Sequence, residues 1–482
     1  MYLGIDLGTS SLKVVLLDSE EQVFATASVS LTVEHPHPNW SEQDPHAWWQ
    51  ALDQAMHQLR TLHPSAMHQV QAIGFSGQMH GTTLLNDQGD VLRPCMLWND
   101  GRSQTECQWL EQQADFTSIT GNRVMAGFTA PKLLWLQRHE PDLFAQTARI
   151  LLPKDYLRYR MSGDYASDVS DSAGTLWLNT ARRDWDESLL VSCNLSTSQM
   201  PQLYEGNEIT GVIYDSLADH WGLPRNTPLV AGGGDNAASA VGLGVIAAGD
   251  AFVSLGTSGV IFVASDQYYA NPQQAVHSFC HALPQRWHQM AVTLSAASSL
   301  SWLAKLTQTS EAELAQMAAV HEPGELLFTP FLSGERTPWN NPALRARFDG
   351  ISSDTDRPHL ARAVMEGVAF SLTDGFRALQ QAGCAPTRFI ATGGGARSLF
   401  WLQLIADLTQ TPIEVPDYAD VGAAFGAGRL AHLALEPNAL SQWQQQRHSA
   451  QTRIEPQSAP ALQQRYQRYQ SLTQWIVRQE AH

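Results

Sequence analysis

An aspartate and a small-residue turn near the N-terminus are the residues here best suited to phosphate chemistry. Asp6 ends an apolar run and is followed by Leu-Gly-Thr-Ser-Ser-Leu-Lys13. Gly8, Thr9 and Ser10 offer backbone amides and hydroxyls with little bulk, which suits phosphate oxygens. Lys13 can neutralise charge, and a carboxylate such as Asp6 can hold Mg²⁺ directly or through water. The pattern predicts a turn that binds phosphate groups, although a hairpin without a ligand would also explain one copy.

The same turn occurs again half a chain later. Leu255-Gly-Thr-Ser258 repeats Leu7–Ser10, and each copy lies between two apolar runs, which predicts two tight β-hairpins. Gly256 and Thr257 would then face phosphate groups from the second half. The repeat predicts a duplicated domain that holds phosphate groups between its halves, as in a nucleotide-using enzyme.

A second aspartate follows a strand and three glycines, in Gly232-Gly-Gly-Asp-Asn-Ala237. This arrangement places Asp235 at the carboxyl end of a parallel strand, where ligands bind in open α/β folds. Asp235 is therefore a candidate general base for a substrate hydroxyl. The alternative is an aspartate that only caps the following helix.

A third glycine-rich loop, Gly393-Gly-Gly-Ala-Arg-Ser398, also follows a strand and opens a helix. Its amides could face a phosphate or a nucleotide base. The loop matches neither the dinucleotide fingerprint nor the P-loop, which counts against both of those classes of protein.

Polar and aromatic side chains cluster after two predicted strands of the first half, in Ser76–Gly81 and Leu97–Arg102. His80, Asn99 and Asp100 offer donors and acceptors for a polyol, and Trp98 offers an apolar face. A structural histidine is the alternative for His80. No catalytic zinc pattern and no hydrolase nucleophile elbow is present in the sequence.

The elements that must position these residues fall into two domains, since 482 residues exceed one ordinary core. We expect an N-terminal domain over 1–245 and a C-terminal domain over 246–482 that ends in a helical tail. The pattern predicts three strands over 2–33, further strands of the same sheet at 82–85 and 91–97, and a long helix over 359–382.

Composition restricts the partners and the compartment. The net charge of −17 argues against binding nucleic acid or an anionic membrane. The five cysteines are odd in number and widely spaced, which favours a reducing compartment. Because no apolar run spans a membrane and no signal peptide is evident, we expect a cytoplasmic protein.

Two longer segments resemble signatures of the FGGY family of carbohydrate kinases. One is Gly127-Phe-Thr-Ala-Pro-Lys-Leu-Leu-Trp-Leu-Gln-Arg-His139, and the other runs from Ala346-Arg-Phe-Asp-Gly-Ile351 to His359-Leu-Ala-Arg-Ala-Val-Met-Glu366. Together with the turns above, the resemblance covers nearly the whole chain. It implies an α/β fold of two duplicated ribonuclease H-like domains, of the actin, Hsp70 and hexokinase type, with a cleft between them.

Shorter segments are similar to the bacterial branch of the family that acts on D-xylulose, among them Gly77–Gly81, Leu97–Arg102 and Ser333–Pro338. The resemblance implies that ATP and Mg²⁺ convert D-xylulose to D-xylulose 5-phosphate, with Asp235 as the base. The implied sugar-binding residues are Met79, His80, Asp100 and Asn236. Asp6 is implied as the Mg²⁺ residue, with the phosphates held by Gly8, Thr9, Ser10, Lys13, Gly256 and Thr257, and the adenosine by Gly394, Gly395, Ala396 and Arg397.

Three other functions stay open at this point. The first is an FGGY kinase for ribulose, gluconate or glycerol, and the second is an actin-like or Hsp70-like switch that uses ATP without a sugar. The third is a sugar sensor on the kinase fold that has lost phosphoryl transfer. The resemblance also makes a homodimer plausible, although no interface can be named from the sequence.

Overall fold

The computed structural model describes residues 1–322, 324–416, 422–445 and 452–480. In the first half the strands are β1 (Tyr2–Leu7), β2 (Ser11–Leu17), β3 (Val23–Ser30), β4 (Glu42–Gln43), β5 (Ala72–Gly77), β6 (Thr83–Leu85), β7 (Cys95–Met96), β8 (Arg149–Leu151), β9 (Ala166–Asp168), β10 (Leu178–Asn179), β11 (Asp184–Trp185), β12 (Gln202–Tyr204), β13 (Ile209–Val212), β14 (Pro228–Val230) and β15 (Gly233–Gly234). The helices are α1 (Pro45–Leu62), α2 (Pro64–Met67), α3 (Gln104–Gln113), α4 (Phe116–Thr120), α5 (Thr129–His139), α6 (Pro141–Gln146), α7 (Pro153–Ser162), α8 (Val169–Ser172), α9 (Glu187–Ser192), α10 (Asp215–Trp221) and α11 (Asp235–Leu243).

The second half is built in the same way. Its strands are β16 (Asp250–Leu255), β17 (Gly259–Ser265), β18 (His277–Cys280), β19 (Trp287–Thr293), β20 (Leu327–Thr329), β21 (Arg347–Asp349), β22 (Arg388–Thr392), β23 (Ile413–Val415) and β24 (Thr452–Ile454). Its helices are α12 (Ala297–Thr307), α13 (Glu311–Val320), α14 (Arg357–Ala382), α15 (Leu399–Thr409), α16 (Ala423–Leu435), α17 (Ala439–Gln445) and α18 (Pro460–Glu480).

The main sheets of the two halves share one strand order. In the first sheet β3, β2 and β1 are antiparallel neighbours, and β5 and β14 continue the sheet parallel to β1. In the second sheet β19, β17, β16, β22 and β23 take the same places with the same directions. Both predicted hairpins are present, and the duplicated α/β fold of the actin and hexokinase type is confirmed.

One expectation about the first sheet was wrong. The residues of 82–85 and 91–97 do not extend it, because β6 pairs with β8 and β7 pairs with β4 in two small separate sheets. Their apolar pattern reflects burial against the main sheet and not membership of it. A short apolar run predicts a strand but cannot identify its partner.

Two helices cross between the halves. Helix α16 belongs to the second half of the chain, yet it packs on β1 and β5 of the first sheet and runs beside α11. The approach is close enough to require glycine, since a Cβ on Gly4 would lie 1.9 Å from the Ala424 carbonyl oxygen. A Cβ on Gly426 would lie 1.7 Å from the Ala238 carbonyl oxygen. The N-terminal end of α11, which carries Asp235, is thereby held next to the second half.

The long helix and the tail of the second half follow their predicted pattern. Helix α14 begins at Arg357 after an Asp356 cap and ends before Gly383, whose φ of 102° suits glycine. Helix α18 buries the stripe of Leu462, Tyr466, Tyr469 and Ile476 against the second half. The other predicted member of that stripe, Leu472, is partly buried. Among the described residues, no helix combines the length and the apolar character needed to span a bilayer.

Candidate functional site

A cavity of about 300 Å³ lies between the two halves. The first half contributes Met79, His80, Asp235 and Asn236 to its lining, together with Trp98. The second half contributes Arg336 and His277, among others. The fold therefore brings four of the predicted site residues around one space, which is of a size for a small polyol.

Asp235 is the first residue of helix α11 and not its cap, so its carboxylate is available for the predicted role of a base. Helix α11 begins at Asp235, and the cap position belongs to Gly234. Its Oδ1 accepts hydrogen bonds from the Asn236 backbone amide at 2.6 Å and the Asn236 side-chain amide at 2.8 Å. No described residue donates to Oδ2. Burial raises the pKa of Asp235 although the Asn236 bonds oppose the rise, and a raised pKa strengthens a carboxylate as a proton acceptor.

His80 presents a neutral ring to the same cavity. Its backbone has a φ of 69°, and its Nδ1 lies 2.7 Å from the carbonyl oxygen of Gly174. Burial lowers the pKa of His80 to about 3, so the ring is neutral at physiological pH. Since the carbonyl can only accept, the proton lies on Nδ1 and donates to Gly174. Nε2 is left as an acceptor for a sugar hydroxyl.

The signature segment that begins at Gly127 holds His80 in place. Helix α5 supplies two donors to the His80 carbonyl oxygen, Thr129 Oγ1 at 3.1 Å and Lys132 Nζ at 3.0 Å. Lys132 is fully buried, and that burial lowers its pKa to about 7. Neither residue was assigned a role from the sequence. The signal was present only as the resemblance of this segment to a family signature.

Asp100 lies away from the cavity lining. Its carboxylate accepts from the Ser41 amide at 2.7 Å and from the Arg102 guanidinium at 2.8 and 2.6 Å. The Arg102 guanidinium stacks 3.6 Å from the ring centroid of Trp40. Asp100 therefore stabilises the loop that carries Trp98, and a direct contact of Asp100 with the sugar stays a prediction.

Arg336 is the cationic side chain of the cavity that sequence reasoning missed. It is half-buried, and its guanidinium makes no hydrogen bond or ion pair within the described part of the chain. Burial lowers its pKa, and its charge helps to lower the pKa values of His80 and His277. A guanidinium that lines a ligand-sized cavity is suited to an oxygen-rich ligand. The sequence signal for Arg336 was the resemblance of the Ser333–Pro338 segment to the family.

Asp6 fits the predicted role in holding a divalent cation. It lies near the end of β1, beside Lys13 in the hairpin register. Its Oδ1 is buried and has no hydrogen-bond partner among the described residues. Burial and the negative charge of Asp235 raise the pKa of Asp6 to about 7. Two carboxylates close enough to repel each other offer the oxygen ligands that Mg²⁺ prefers.

The hairpin turns use some of the groups that were expected to face phosphates. The Gly8 amide donates to the Ser11 carbonyl oxygen at 3.0 Å, and the Gly256 amide donates to the Ser258 carbonyl oxygen at 3.1 Å. These amides close the turns, contrary to the expectation that they are available. The backbone amides of Thr9, Ser10 and Thr257 donate to no residue in the described ranges, and their binding to phosphate oxygens stays a prediction.

The Thr9 side chain joins the first hairpin to the loops that carry Gln78 and Trp98. Its hydroxyl donates to Gln78 at 3.0 Å and accepts from the Trp98 ring nitrogen at 3.1 Å. Gln43 donates to the Thr9 carbonyl oxygen at 2.7 Å. Because the hydroxyl is already engaged, the backbone amide is the donor of Thr9 that remains available to a ligand.

A larger cavity of about 560 Å³ lies in the second half and suits a nucleoside. Gly394, Gly395 and Arg397 line it, opposite Ala312 and Ala315 of α13. The predicted residue Ala396 is buried beneath the turn and is not part of the lining.

The second hairpin lies between the two cavities. Ser258 lines the smaller cavity. Gly256 accepts a hydrogen bond of 2.8 Å from the amide of Ala297, which lines the larger one. The second hairpin therefore contacts the linings of both cavities.

A buried charge network supports the loop before Asp235. Lys154 Nζ lies 2.6 Å from Asp155 and 2.8 Å from Asp168, all fully buried. The Ser170 hydroxyl donates to Asp168 and accepts from the Gly234 amide at 3.2 Å. Breaking one partner of a buried ion pair is strongly destabilising, so this network fixes the loop in one conformation.

The sequence of the chain matches a known protein family over both halves. The sequence profile of the FGGY family of carbohydrate kinases matches as an N-terminal domain over residues 1–242 and a C-terminal domain over 251–435. The chain is 52% identical over 442 residues to the xylulose kinase of Escherichia coli, covering 91% of this chain and 90% of that protein. It is 37% identical to the xylulose kinase of Bacillus subtilis, covering 89% and 87%.

Solved structures of sugar kinases have the same fold as this chain. A protein described as a xyloylose kinase from Brucella ovis superposes with a TM-score of 0.95 at 47% identity, covering 98% of both chains. A gluconate kinase from Lactobacillus acidophilus superposes with a TM-score of 0.92 at 25% identity, again over 98% of both chains. Proteins named for different sugars therefore share this fold.

Proposed function

Because the chain belongs to the FGGY family of carbohydrate kinases, we propose that it transfers the γ-phosphoryl group of ATP to the terminal hydroxyl of D-xylulose. The products are D-xylulose 5-phosphate and ADP. The observation that carries the proposal is the cavity in which Asp235, His80 and Met79 of one half meet Arg336 of the other. The 52% identity to the E. coli xylulose kinase supports D-xylulose as the sugar.

Asp235 takes the proton of the attacking hydroxyl in this proposal. Its Oδ1 is held by Asn236, which leaves Oδ2 to face the sugar. The hydroxyl oxygen attacks the γ-phosphorus in line with the leaving oxygen of ADP, and its proton passes to Asp235. His80 Nε2 accepts a hydrogen bond from another hydroxyl of the sugar and so fixes the orientation of the sugar in the cavity.

The two hairpins hold the phosphates. The amides of Thr9 and Ser10 approach from one half and the amide of Thr257 from the other, while Lys13 adds positive charge. Mg²⁺ held by Asp6 would supply further positive charge to the phosphate oxygens. The nucleoside lies in the larger cavity beside Gly394, Gly395 and Arg397.

Closure of the halves completes the site. Residues from both halves line the sugar cavity, so relative movement about α11 and α16 changes its access to solvent. Excluding water matters because water competes with the sugar hydroxyl as a nucleophile. We expect slow ATP hydrolysis without sugar and much faster ADP formation with it. The homodimer suggested by the family resemblance stays a prediction.

A second candidate substrate is supported by one observation. The likeness to the gluconate kinase at a TM-score of 0.92 shows that the fold also accommodates another polyhydroxylated substrate. The discriminating experiment is a coupled ADP assay with D-xylulose, D-ribulose, L-ribulose, gluconate and glycerol. We expect the highest kcat/KM with D-xylulose. A higher kcat/KM with gluconate or another member would replace the substrate and keep the reaction.

A further inference from the structure

A cluster of metal-ligand side chains lies on the outside of the first half, away from the cleft. Asp53 and His57 stand one turn apart on α1, and His220 lies near the end of α10. The Nε2 atoms of His57 and His220 are 3.0 Å apart, and His220 Nε2 is 3.0 Å from Asp53 Oδ1. Two helices that are distant in sequence thus bring three ligand atoms together.

The two imidazole rings are not joined head-on. Their ring centroids are 4.5 Å apart and their planes are inclined at 86°. A linear hydrogen bond between the nitrogens would place the centroids further apart, since both ring radii would add to the 3.0 Å separation. The nitrogens instead converge at an angle. For a zinc ion about 2.0–2.1 Å from both nitrogens, the N–Zn–N angle would be about 95°, somewhat below the tetrahedral angle.

Neighbouring groups hold the cluster in this arrangement. The buried Trp221 donates its ring N–H to Asp53 Oδ1 at 2.8 Å, which orients the carboxylate. Arg60 of α1 donates to the backbone carbonyl oxygen of His220 and so ties α10 to α1. Such outer partners are typical of metal sites, where they orient the ligands.

We propose that Asp53, His57 and His220 bind a zinc ion. Two imidazole nitrogens and one carboxylate oxygen are ligands that zinc accepts, whereas Mg²⁺ prefers oxygen alone. The three side chains are 37%, 44% and 47% exposed, so the ion reaches them from solvent and water completes its coordination. The bound ion joins α1 to α10 and stabilises the folded first half, because it binds the folded state in preference to the unfolded one.

A second cluster of the described residues serves as a matched control. His321, Asp356 and His359 also lie close together. There, however, His359 Nδ1 is engaged at 2.7 Å by Asp356, which caps helix α14. Because the carboxylate already serves the helix, we expect zinc to prefer the Asp53 cluster.

The test is calorimetric titration of the tag-free full-length protein with ZnCl₂, without nucleotide, sugar or Mg²⁺. We expect zinc to bind at one site and to raise the melting temperature of the protein. The affinity for zinc should fall about tenfold or more in His57→Asn and His220→Asn. Asp53→Asn, which keeps an acceptor for Trp221, should weaken binding in the same direction. His359→Asn should bind as the wild type does, and all four variants should keep the wild-type kcat.

A wild-type protein that binds no zinc would overturn the proposal. So would His220→Asn binding with unchanged affinity, or His359→Asn losing the site. Diffraction data collected on wild-type crystals at the zinc absorption edge give a second measurement that needs no variant. An anomalous peak between His57 and His220 is expected, and a peak only elsewhere on the protein would contradict the assignment.

Discussion

The ammonium group of Lys132 donates a hydrogen bond of 3.0 Å to the carbonyl oxygen of His80. Lys132 is fully buried on α5, and His80 has the positive φ that turns its ring towards the sugar cavity. A residue of the signature helix thus fixes the backbone of a predicted sugar-binding residue.

We predict that Lys132→Met weakens sugar binding more than ATP binding. The change removes a buried donor, so the free energy of unfolding should fall by about 1–3 kcal/mol. With His80 less firmly held, the KM for the sugar should rise about tenfold while the KM for ATP changes little. Steady-state kinetics and urea unfolding measure both quantities. Lys305→Met, at an exposed lysine of α12, is the matched control, and equal rises in both KM values would refute the assignment.

A change at Gly174 should reach the same histidine from the other side. A Cβ on Gly174 would lie 2.6 Å from His80 Nδ1, so Gly174→Ala must displace the ring. We expect a higher sugar KM and an unchanged ATP KM from kinetics with each substrate varied in turn. If Gly174→Ala left the sugar KM at its wild-type value, the ring of His80 would not be a sugar contact.

Arg336 should contribute to sugar affinity from the second half. Because its guanidinium faces the cavity, Arg336→Met should raise the sugar KM by about tenfold, equivalent to about 1.4 kcal/mol of binding free energy. Arg336→Lys keeps the charge and should recover part of the affinity. Arg345→Met, outside the cavity, is the control, and the same KM in Arg336→Met as in the control would exclude the role.

The ionised side chain of Asp6 should lower the free energy of unfolding when Mg²⁺ and nucleotide are absent. Its pKa is raised to about 7, so between about pH 4 and 7 the folded state holds a proton that the unfolded chain has lost. Proton binding by Asp6 therefore stabilises the folded state at low pH, and this stabilisation is lost as the pH rises through about 7. We predict that Asp6→Asn is about 1–3 kcal/mol more stable than the wild type at pH 8, with a smaller difference at pH 5.

Urea unfolding of Asp6→Asn and the wild type at both pH values tests this prediction. Comparing the two proteins cancels the contribution of other buried carboxyl groups, such as Glu335, whose pKa is also raised to about 7. The variant should lose nearly all turnover despite its greater stability. A difference in stability that does not depend on pH would contradict the raised pKa.

The fold was predictable wherever the signal was local. The hairpins at Gly8 and Gly256 follow from apolar runs around a small-residue turn, and α14 follows from its periodicity and its Gly383 cap. The pairing of β6 with β8 and of β7 with β4 was not predictable, because the partners of short buried strands are set by tertiary packing.

The site was predictable in its residue types and less so in its supports. Asp235, His80, Met79 and Asn236 meet at one cavity because each follows a strand that ends at the same edge of the first half. Lys132 and Arg336 were missed, since a buried lysine on a helix and an arginine in a loop carry no local signal of function. Asp100 has the polar type expected of a sugar ligand, but Arg102 and Ser41 occupy its oxygens.

We propose that this chain phosphorylates D-xylulose with Asp235 as the general base. The most direct test measures ADP formation with D-xylulose by the wild type and by Asp235→Asn, beside calorimetric binding of D-xylulose to both. We expect sugar-dependent turnover in the wild type, a kcat lower by about 10²–10⁴-fold in the variant, and similar sugar affinity in both. Turnover of the variant at the wild-type rate, or no stimulation of the wild type by D-xylulose, would contradict it.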